Sequence, residues 1–437
     1  MKIRLLSLFL LPIFVGNAIA SEEKQNLLSL SEIAQSENPI LLSAKSAANF
    51  ATYKERESLG RLLPQASIEA SRSFTEYSSN TTNYDYYGNR ASLVINQSII
   101  NLPAWYDYKR SGSLTDKALN QTNATKQEQY KELITRYIDV LSANDETLLI
   151  EKEIDTVKKN LIQVEKLLDR QLATVTDVLK TKSRLDALTA KRLESKTHSN
   201  VSQEALAELV GSKGFAPLAQ LRDDAPLSHL IPTDSYEYWL ELAHKNNPTI
   251  KQHEATIEAE NAAYKGATSA HAPKLSFRLI GQSSNIGYDN IQTNDTDSTS
   301  ATLQLQVPLF SGGSTTAAQF AAKERYSMAQ LELKSIKRNI NKELRSSYQN
   351  LLNAPDRLNA AKTAVESAKA AKDAADKSFK YGLVNNIDVL ERTEDEYNAL
   401  HQQQQVRYDL IKVYAAFKYW TGSLSQLELE EINGFLF

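Results

Sequence analysis

The spacing of apolar positions switches between period two and a helical period along this chain, in the same order twice. In the second half Ala301, Leu303, Leu305, Val307 and Leu309 alternate with Thr302, Gln304 and Gln306, the pattern of a strand with one apolar face. Leu275, Phe277 and Leu279 begin its partner. The first half repeats the pair more weakly, with Ile68, Ala70 and Phe74 in one strand and Leu93 and Ile95 in the other. The polar, Tyr-bearing stretches 78–90 and 283–300 read as the loops that close two hairpins. After the first hairpin Tyr130, Leu133, Ile134, Tyr137, Ile138 and Leu141 recur at i, i+3, i+4, i+7, i+8 and i+11, one face of a helix. Ile154, Val157, Leu161, Val164 and Leu168 then step three and four, as coiled-coil seams do. In the second half Ala361, Ala364, Ala368, Ala371 and Ala375 fill that seam, and such small residues predict tight helix packing.

The halves are copies. Asn38-Pro39 returns as Asn247-Pro248 and Leu63-Pro64 as Ala272-Pro273, both 209 residues on. Ala91-Ser92-Leu93 returns as Ala301-Thr302-Leu303 at 210, and Thr176-Asp177-Val178-Leu179 as Ile387-Asp388-Val389-Leu390 at 211. Four ordered matches with so little drift indicate a domain-sized duplication. Each copy reads as helix, two strands, very long helix, turn, helix: a mainly α chain with a small β part. The expected first repeat is 21–210, with strands at about 66–77 and 91–100, a long helix at about 104–170 and a tip turn at about 171–176. A Pro-bearing linker, 211–235, leads to the second repeat, 236–420. There the strands are expected at about 274–284 and 300–310, the long helix at about 313–380 and the tip turn at about 381–386, before a C-terminal tail, 421–437. The long helix of the first repeat would span about 100 Å. An interruption is expected near Asn144-Asp145, and at the matching place Ala354-Pro355-Asp356 predicts a kink or offset.

Composition accounts for the length of these elements. Gly (14) and Pro (11) are scarce in 437 residues, so turns are few. Lys plus Arg (50) nearly balances Asp plus Glu (53), which gives no electrostatic case for a nucleic-acid partner. The absence of Cys excludes disulfides, thiolate metal sites, Cys nucleophiles and an acylated N-terminal cysteine. Lys2 and Arg4 precede the apolar run Leu5 to Val15, and Ala18-Ile19-Ala20 supplies a cleavage pattern, so residues 1–20 read as a signal peptide. No later stretch reaches 18 apolar residues, so an exported chain that enters a membrane must do so with strands. Four strands cannot close a barrel and an open edge cannot face lipid, so several chains would have to pool them; three would supply twelve. The other reading of the same pattern is two soluble hairpins packed on a coiled coil.

In order, spacing and duplication these landmarks resemble the TolC family of outer-membrane export channels, over about residues 30–422. The resemblance is carried by Asn38-Pro39 and Asn247-Pro248, by Leu63-Pro64 and Ala272-Pro273 ahead of the first strands, and by Gln97-Ser98-Ile99-Ile100 with Trp105. It continues in Val307-Pro308-Leu309-Phe310 with Gly312-Gly313, and ends in Phe379-Lys380-Tyr381-Gly382-Leu383 with Asp388-Val389-Leu390. It implies a homotrimer whose twelve-stranded barrel sits in the bacterial outer membrane, against its lipid, and continues as a periplasmic α-helical barrel with an equatorial girdle from linker and tail. It also implies a periplasmic adaptor protein and an inner-membrane transporter of RND or ABC type as partners, and no cofactor.

The resemblance places a gate at the tip. Asp388 and Glu391 match acidic positions that ring the pore, Thr176 and Asp177 match gate partners, and Lys180 stands at the position equivalent to Glu391, where an acid of the neighbouring coil could pair with it. Without the family, Asp388 and Glu391 read as acids stabilised at a helix start. Phe379 stands where many members have Tyr and Val384 where they have Arg, so neither can make the usual polar bond. Gln171, Leu172, Tyr381, Gly382 and Leu383 fall in the turns that mesh with the adaptor. Gln171 replaces an expected Gly, at a cost of about 1 kcal/mol if φ is positive, which is expected to disturb adaptor docking.

Enzyme readings find no support in the residues. The six His show no metal-ligand spacing, and Phe310-Ser311-Gly312-Gly313-Ser314 is neither a nucleophile elbow nor a phosphate loop. The competing function is a soluble periplasmic coiled-coil adaptor or scaffold, which would carry one helical hairpin rather than two hairpin-strand repeats. For a channel, the missing Cys favours the non-acylated members, which include those of type I secretion.

Overall fold

An asparagine before a proline can cap a helix and start it in one step, and both repeats open on that joint. The computed structural model describes residues 25–212, 216–287 and 291–437, so the expected signal peptide lies outside the described residues. The first repeat begins with α1 (Leu27–Glu37) and α2 (Pro39–Gly60), and the second with α5 (Tyr236–Asn246) and α6 (Pro248–Thr268), so each opening helix is two. Asn38 Oδ1 accepts from the backbone N–H of Ile40 and Leu41 at 2.9 and 3.2 Å, and proline at the first helical position gives up a donor that would be unpaired there anyway. Asn247 caps Thr249 and Ile250 in the same way. Each Asn also reaches across its repeat. Asn38 Nδ2 donates to the Leu209 carbonyl (2.9 Å) at the end of α4 (Val175–Val210), and Asn247 Nδ2 to the Trp420 carbonyl (3.0 Å) at the end of α9 (Asn386–Thr421).

The strands β1 (Gln65–Ser78), β2 (Asn83–Ile100), β3 (Lys274–Ile286) and β4 (Gln292–Gln306) form one antiparallel sheet in chain order. They run well into the stretches expected to be loops, since Tyr77 pairs with Tyr84 and Ser284 with Thr296. Asn, Tyr, Asp, Ser and Thr occupy both faces there, so no period-two signal exists; backbone pairing and the Tyr77–Tyr84 stack, 5.0 Å between rings, hold the ladder. At the other end β4 stops at Gln306, short of the expected 310, because Pro308 has no N–H to donate. The register puts Ile68, Leu93 and Gly281 in one row, and Phe277 beside Leu303, all on one face. That face is the outer one: Ile68 is 80% and Leu93 48% exposed, while Val94, pointing the other way, is 3% exposed.

The long helix α3 (Leu102–Asp169) runs 68 residues without a break. The interruption expected at Asn144-Asp145 is absent because those side chains bond outward, Asn144 accepting from Ser199 (2.6 Å) and Asp145 from the Tyr408 hydroxyl (2.5 Å), and leave the backbone helical. In the second repeat the helix does divide, into α7 (Ser314–Leu352) and α8 (Ala354–Lys380), with Pro355 in the first turn after the joint. A short α10 (Gln426–Asn433) follows in the tail.

The main core lies halfway along α3, where Leu133, Ile134, Tyr137 and Ile138 meet Ile411 and Phe417 of α9. Residues 217–222 and the tail strap this level. Gln25 bridges Leu218, Leu221 bridges Leu436, and the Tyr137 hydroxyl donates to the Ala219 carbonyl at 2.7 Å. A second, smaller core of Ile150, Ile154, Val157 and Leu188 joins α3 to α4. The alanine seam of α8 is not the tight contact expected. Ala364 and Ala371 are exposed, and between α8 and α9 a cleft of about 490 Å³ opens over Ala361 and Ala364, because methyl side chains do not fill the space left by Asn398 and Ala399.

Candidate pore site at the helical tip

Two helix-to-helix turns form the end of the molecule farthest from the sheet, and both are built alike. The N–H of Leu172 bonds to the Leu167 carbonyl (2.8 Å) and that of Leu383 to the Ser378 carbonyl (2.9 Å), the closure that needs a left-handed residue just before it. Gly382 fills that place with φ 71°, and Gln171 with φ 61°; Gln171 is the one non-glycine of positive φ among the described residues. The strain expected from sequence is therefore present. Gln171→Gly should raise stability by about 0.5–1 kcal/mol, relief of the left-handed strain less the extra entropy of an unfolded glycine. Urea unfolding measures it, and a lower midpoint would contradict the strain.

The helices that follow begin with reciprocal caps. Asp177 Oδ2 accepts from the Thr174 N–H (3.0 Å) and hydroxyl (2.6 Å), and Asp388 Oδ2 from the Asn385 N–H (3.2 Å). Each N-cap side chain answers, Thr174 Oγ1 accepting from Asp177 N–H and Asn385 Oδ1 from Asp388 N–H. Both acids thus start their helices, and both stay half-exposed. Thr176, Lys180 and Glu391 are exposed, and neither Lys180 nor Glu391 has an ion-pair partner among the described residues of the same chain. Gln171, Leu172 and Asp177 of one turn face Phe379, Tyr381, Gly382 and Val384 of the other across a cleft of about 590 Å³. Leu172, Tyr381 and Leu383 stand 72%, 82% and 76% exposed, apolar knobs on a polar end.

The residues that fasten the two coils together are others. Asn386, 2% exposed, donates from Nδ2 to the Thr181 hydroxyl (2.8 Å) and accepts from Asn160 Nδ2 (2.9 Å), so one side chain ties α9 to both α3 and α4. Further from the tip Arg184 of α4 holds Glu153 of α3 at 2.6 Å and Glu394 of α9 at 3.1 Å. Glu153 is 5% exposed, and burial pushes its carboxyl above the ordinary value against the pull of the Arg184 guanidinium. Lys372 of α8 reaches Glu396 of α9 at 3.5 Å. One signal was available in sequence, an acid at 153 amid the apolar face of Ile150, Ile154 and Val157; its partner, 31 residues on, carries none.

A sheet with an apolar outer face at one end, a coil some 100 Å long and a polar tip at the other define the protomer of an outer-membrane channel. Residues 239–423, most of the second repeat, match the family model described as outer membrane efflux protein. Over 97% of its length the chain is 26% identical to outer membrane protein TolC of Vibrio cholerae, covering 98% of that protein. It is 24% identical over 86% of its length to alkaline protease secretion protein AprF of Pseudomonas aeruginosa, covering 80% of it. The fold matches the CusC channel with a TM-score of 0.83, at 16% identity over 92% of both chains. It matches the Campylobacter jejuni CmeC outer membrane channel at 0.81, with 15% identity over 95% of this chain and 90% of that one. Over nearly its whole length the chain is similar to the TolC family of outer-membrane channel proteins, which reach from the outer membrane into the periplasm and are not enzymes.

Proposed function

We propose that three copies of this chain close a twelve-stranded barrel, continued by a helical tunnel whose tip gates the passage of exported substrates. The observation that carries this is the sheet, whose apolar outer face would meet lipid while β1 and β4 each keep one unpaired edge. Such edges are tolerable in a bilayer only if another chain pairs with them. Two copies would make eight strands, a barrel filled by its own side chains; three is the smallest number that leaves a lumen. The duplication also supplies the register. β2 pairs with β3 so that Ile95 faces Leu279 and Leu93 faces Gly281. Moving each strand to its repeat counterpart sets Leu305 of one copy opposite Ala70 of the next, Leu303 opposite Arg72 and Ala301 opposite Phe74.

The absence of Cys makes this directly testable. In Ala70→Cys/Leu305→Cys a short bismaleimide should join neighbours in the membrane into a ladder that ends at three. Ala70→Cys/Gln304→Cys should not, since Gln304 points to the opposite face. Equal linkage in both pairs would defeat the register, and linkage in neither would defeat the ring.

At the tip, Asp388 and Glu391 lie on one helix face, and three copies would make two acidic rings favouring cations. The use of Asp388 as a cap does not preclude this, since its carboxylate stays half-exposed and Glu391 is exposed. Lys180 is available to an acid of the neighbouring copy, and Thr176, Asp177, Phe379 and Val384 complete the proposed gate. The exposed knobs Leu172, Tyr381 and Leu383, with Gln171 and Gly382, are the proposed contacts for a periplasmic adaptor, and the small-residue cleft between α8 and α9 could take one of its helices. The adaptor would link the channel to an inner-membrane transporter of RND or ABC type. The protease-secretion name of one relative, together with the absence of an acylated cysteine, favours secretion over drug efflux. A soluble scaffold is the weaker reading, because it leaves the apolar outer face of the sheet without a partner.

A further inference from the structure

The outer face of the described sheet carries one cation, Arg72, among the acids Glu76, Asp85, Asp295 and Asp297, and no ion pair is formed with it. Arg72 stands on β1 between Ala70 and Phe74, on the apolar side, opposite Asn89. Its guanidinium lies 4.8 Å from the centre of the Tyr87 ring, which also packs on Phe74 at 5.3 Å. No carboxylate of the described residues pairs with it. Its counterpart in the second repeat is Gly281, so the strand itself does not require a charge there.

The surroundings suit a headgroup. The row on the helix side of Arg72 is Ala70, Ala91, Ser283 and, at the β4 edge, Asp297; beside its three small residues a hollow of about 540 Å³ has Arg72, Arg90, Asn89 and Asp295 among its lining. Phe74 and Tyr87 form an aromatic pair at the hairpin end of the sheet, away from the helices, where a barrel strand leaves the outer leaflet. Arginine is tolerated on a lipid-facing surface at that depth, and stacking on Tyr87 leaves the N–H edge of the guanidinium free for a planar, two-point contact with phosphate. In the proposed register the neighbouring copy sets Leu303 opposite Arg72, with Ala301 and Leu305 beside it, and brings no acid.

We propose that Arg72, with Asn89 and the adjoining hollow, binds the phosphate of a glycolipid headgroup in the outer leaflet, one lipid for each copy of the chain. The site rests on the barrel reading above. The phosphate would take the guanidinium edge, the sugar hydroxyls Asn89 and Asp295, and the first acyl segment the hollow over Ala70 and Ala91.

The test is native mass spectrometry of the purified assembly in detergent, given bis-phosphorylated lipid A, the same lipid with its phosphates removed, or inorganic phosphate. Wild type should retain up to three phosphorylated lipids. Arg72→Ala should lower the retained fraction about tenfold at fixed lipid concentration, the loss of one charge-assisted contact, and Arg72→Lys should fall between. Dephosphorylated lipid should bind wild type no better than lipid A binds Arg72→Ala. Equal retention by wild type and Arg72→Ala would overturn the site, and displacement of the lipid by equimolar inorganic phosphate would overturn the assignment to lipid. A monomeric mass would overturn the barrel and the site with it, an outcome distinct from a trimer that holds no lipid.

Discussion

Gly422→Ala is expected to destabilise the fold by about 3 kcal/mol, and Gly211→Ala, at the same place in the first repeat, by about 1 kcal/mol. Both glycines end a helix in the left-handed region, with φ of 72° and 79°. The difference lies in what a methyl group would meet. At Gly422 a Cβ would sit 2.5 Å from the Cα of Asn247 and 2.7 Å from its backbone nitrogen, and that backbone cannot yield without loosening the cap it forms on α6. At Gly211 the nearest atom is the side-chain Cβ of Glu37 at 3.3 Å, which a small shift relieves. Alanine at 422 would also strain the Asn247–Trp420 bond that fastens the two ends of the second repeat. Thermal unfolding of the two variants side by side measures the difference, and equal losses would show that backbone conformation alone, and not the close approach, makes glycine necessary.

Arg184→Ala is expected to cost about 3 kcal/mol at neutral pH, because it leaves the buried Glu153 carboxylate without its partner. The loss should depend on pH in a definite direction. Burial already holds the Glu153 carboxyl above its ordinary 4.5, so the folded chain binds that proton more tightly than the unfolded one. The group's contribution to stability is therefore greatest below 4.5 and declines as pH rises through the folded value. Removing Arg184 takes away the hydrogen bond and charge that lower that value, so the variant titrates higher still. Its deficit should be large at pH 8 and shrink toward pH 5, where Glu153 is increasingly neutral. Glu153→Gln in the same chain should recover most of the deficit at pH 8. A deficit independent of pH, or no recovery in the double variant, would assign the effect to lost packing of the arginine stem. Because Arg184 also holds Glu394, the variant should loosen α9 from α3 and α4 at this level, leaving the Asn386 bonds in place, and in the proposed channel raise the closed-state current.

Much of this molecule was legible in its sequence, and what was legible shares one property: it depends on residues near one another in the chain. The repeat offset, the strand faces built on Ile68, Leu93, Phe277 and Leu303, the helix face of Leu133, Ile134 and Tyr137, and the left-handed place of Gln171 all follow from local spacing. Where local spacing is silent, the expectations failed. Residues 83–90 and 292–299 carry polar side chains on both faces, so only pairing across the hairpin shows that they are strand. Asn144-Asp145 looks like a break in any single helix and ceases to be one when Ser199 and Tyr408 take up its side chains.

The sequence alone determined that the chain is a tandem duplication of strands and very long helices, because period and punctuation are set by backbone geometry residue by residue. Tertiary structure alone decided what fastens these pieces together: the asparagine of each Asn-Pro joint bonded to a helix end 171 or 173 residues away, Asn386 joining Thr181 and Asn160, and Arg184 between two acids of different coils. Such bonds need two surfaces to arrive at one point, and no pattern within either segment records where the other will be.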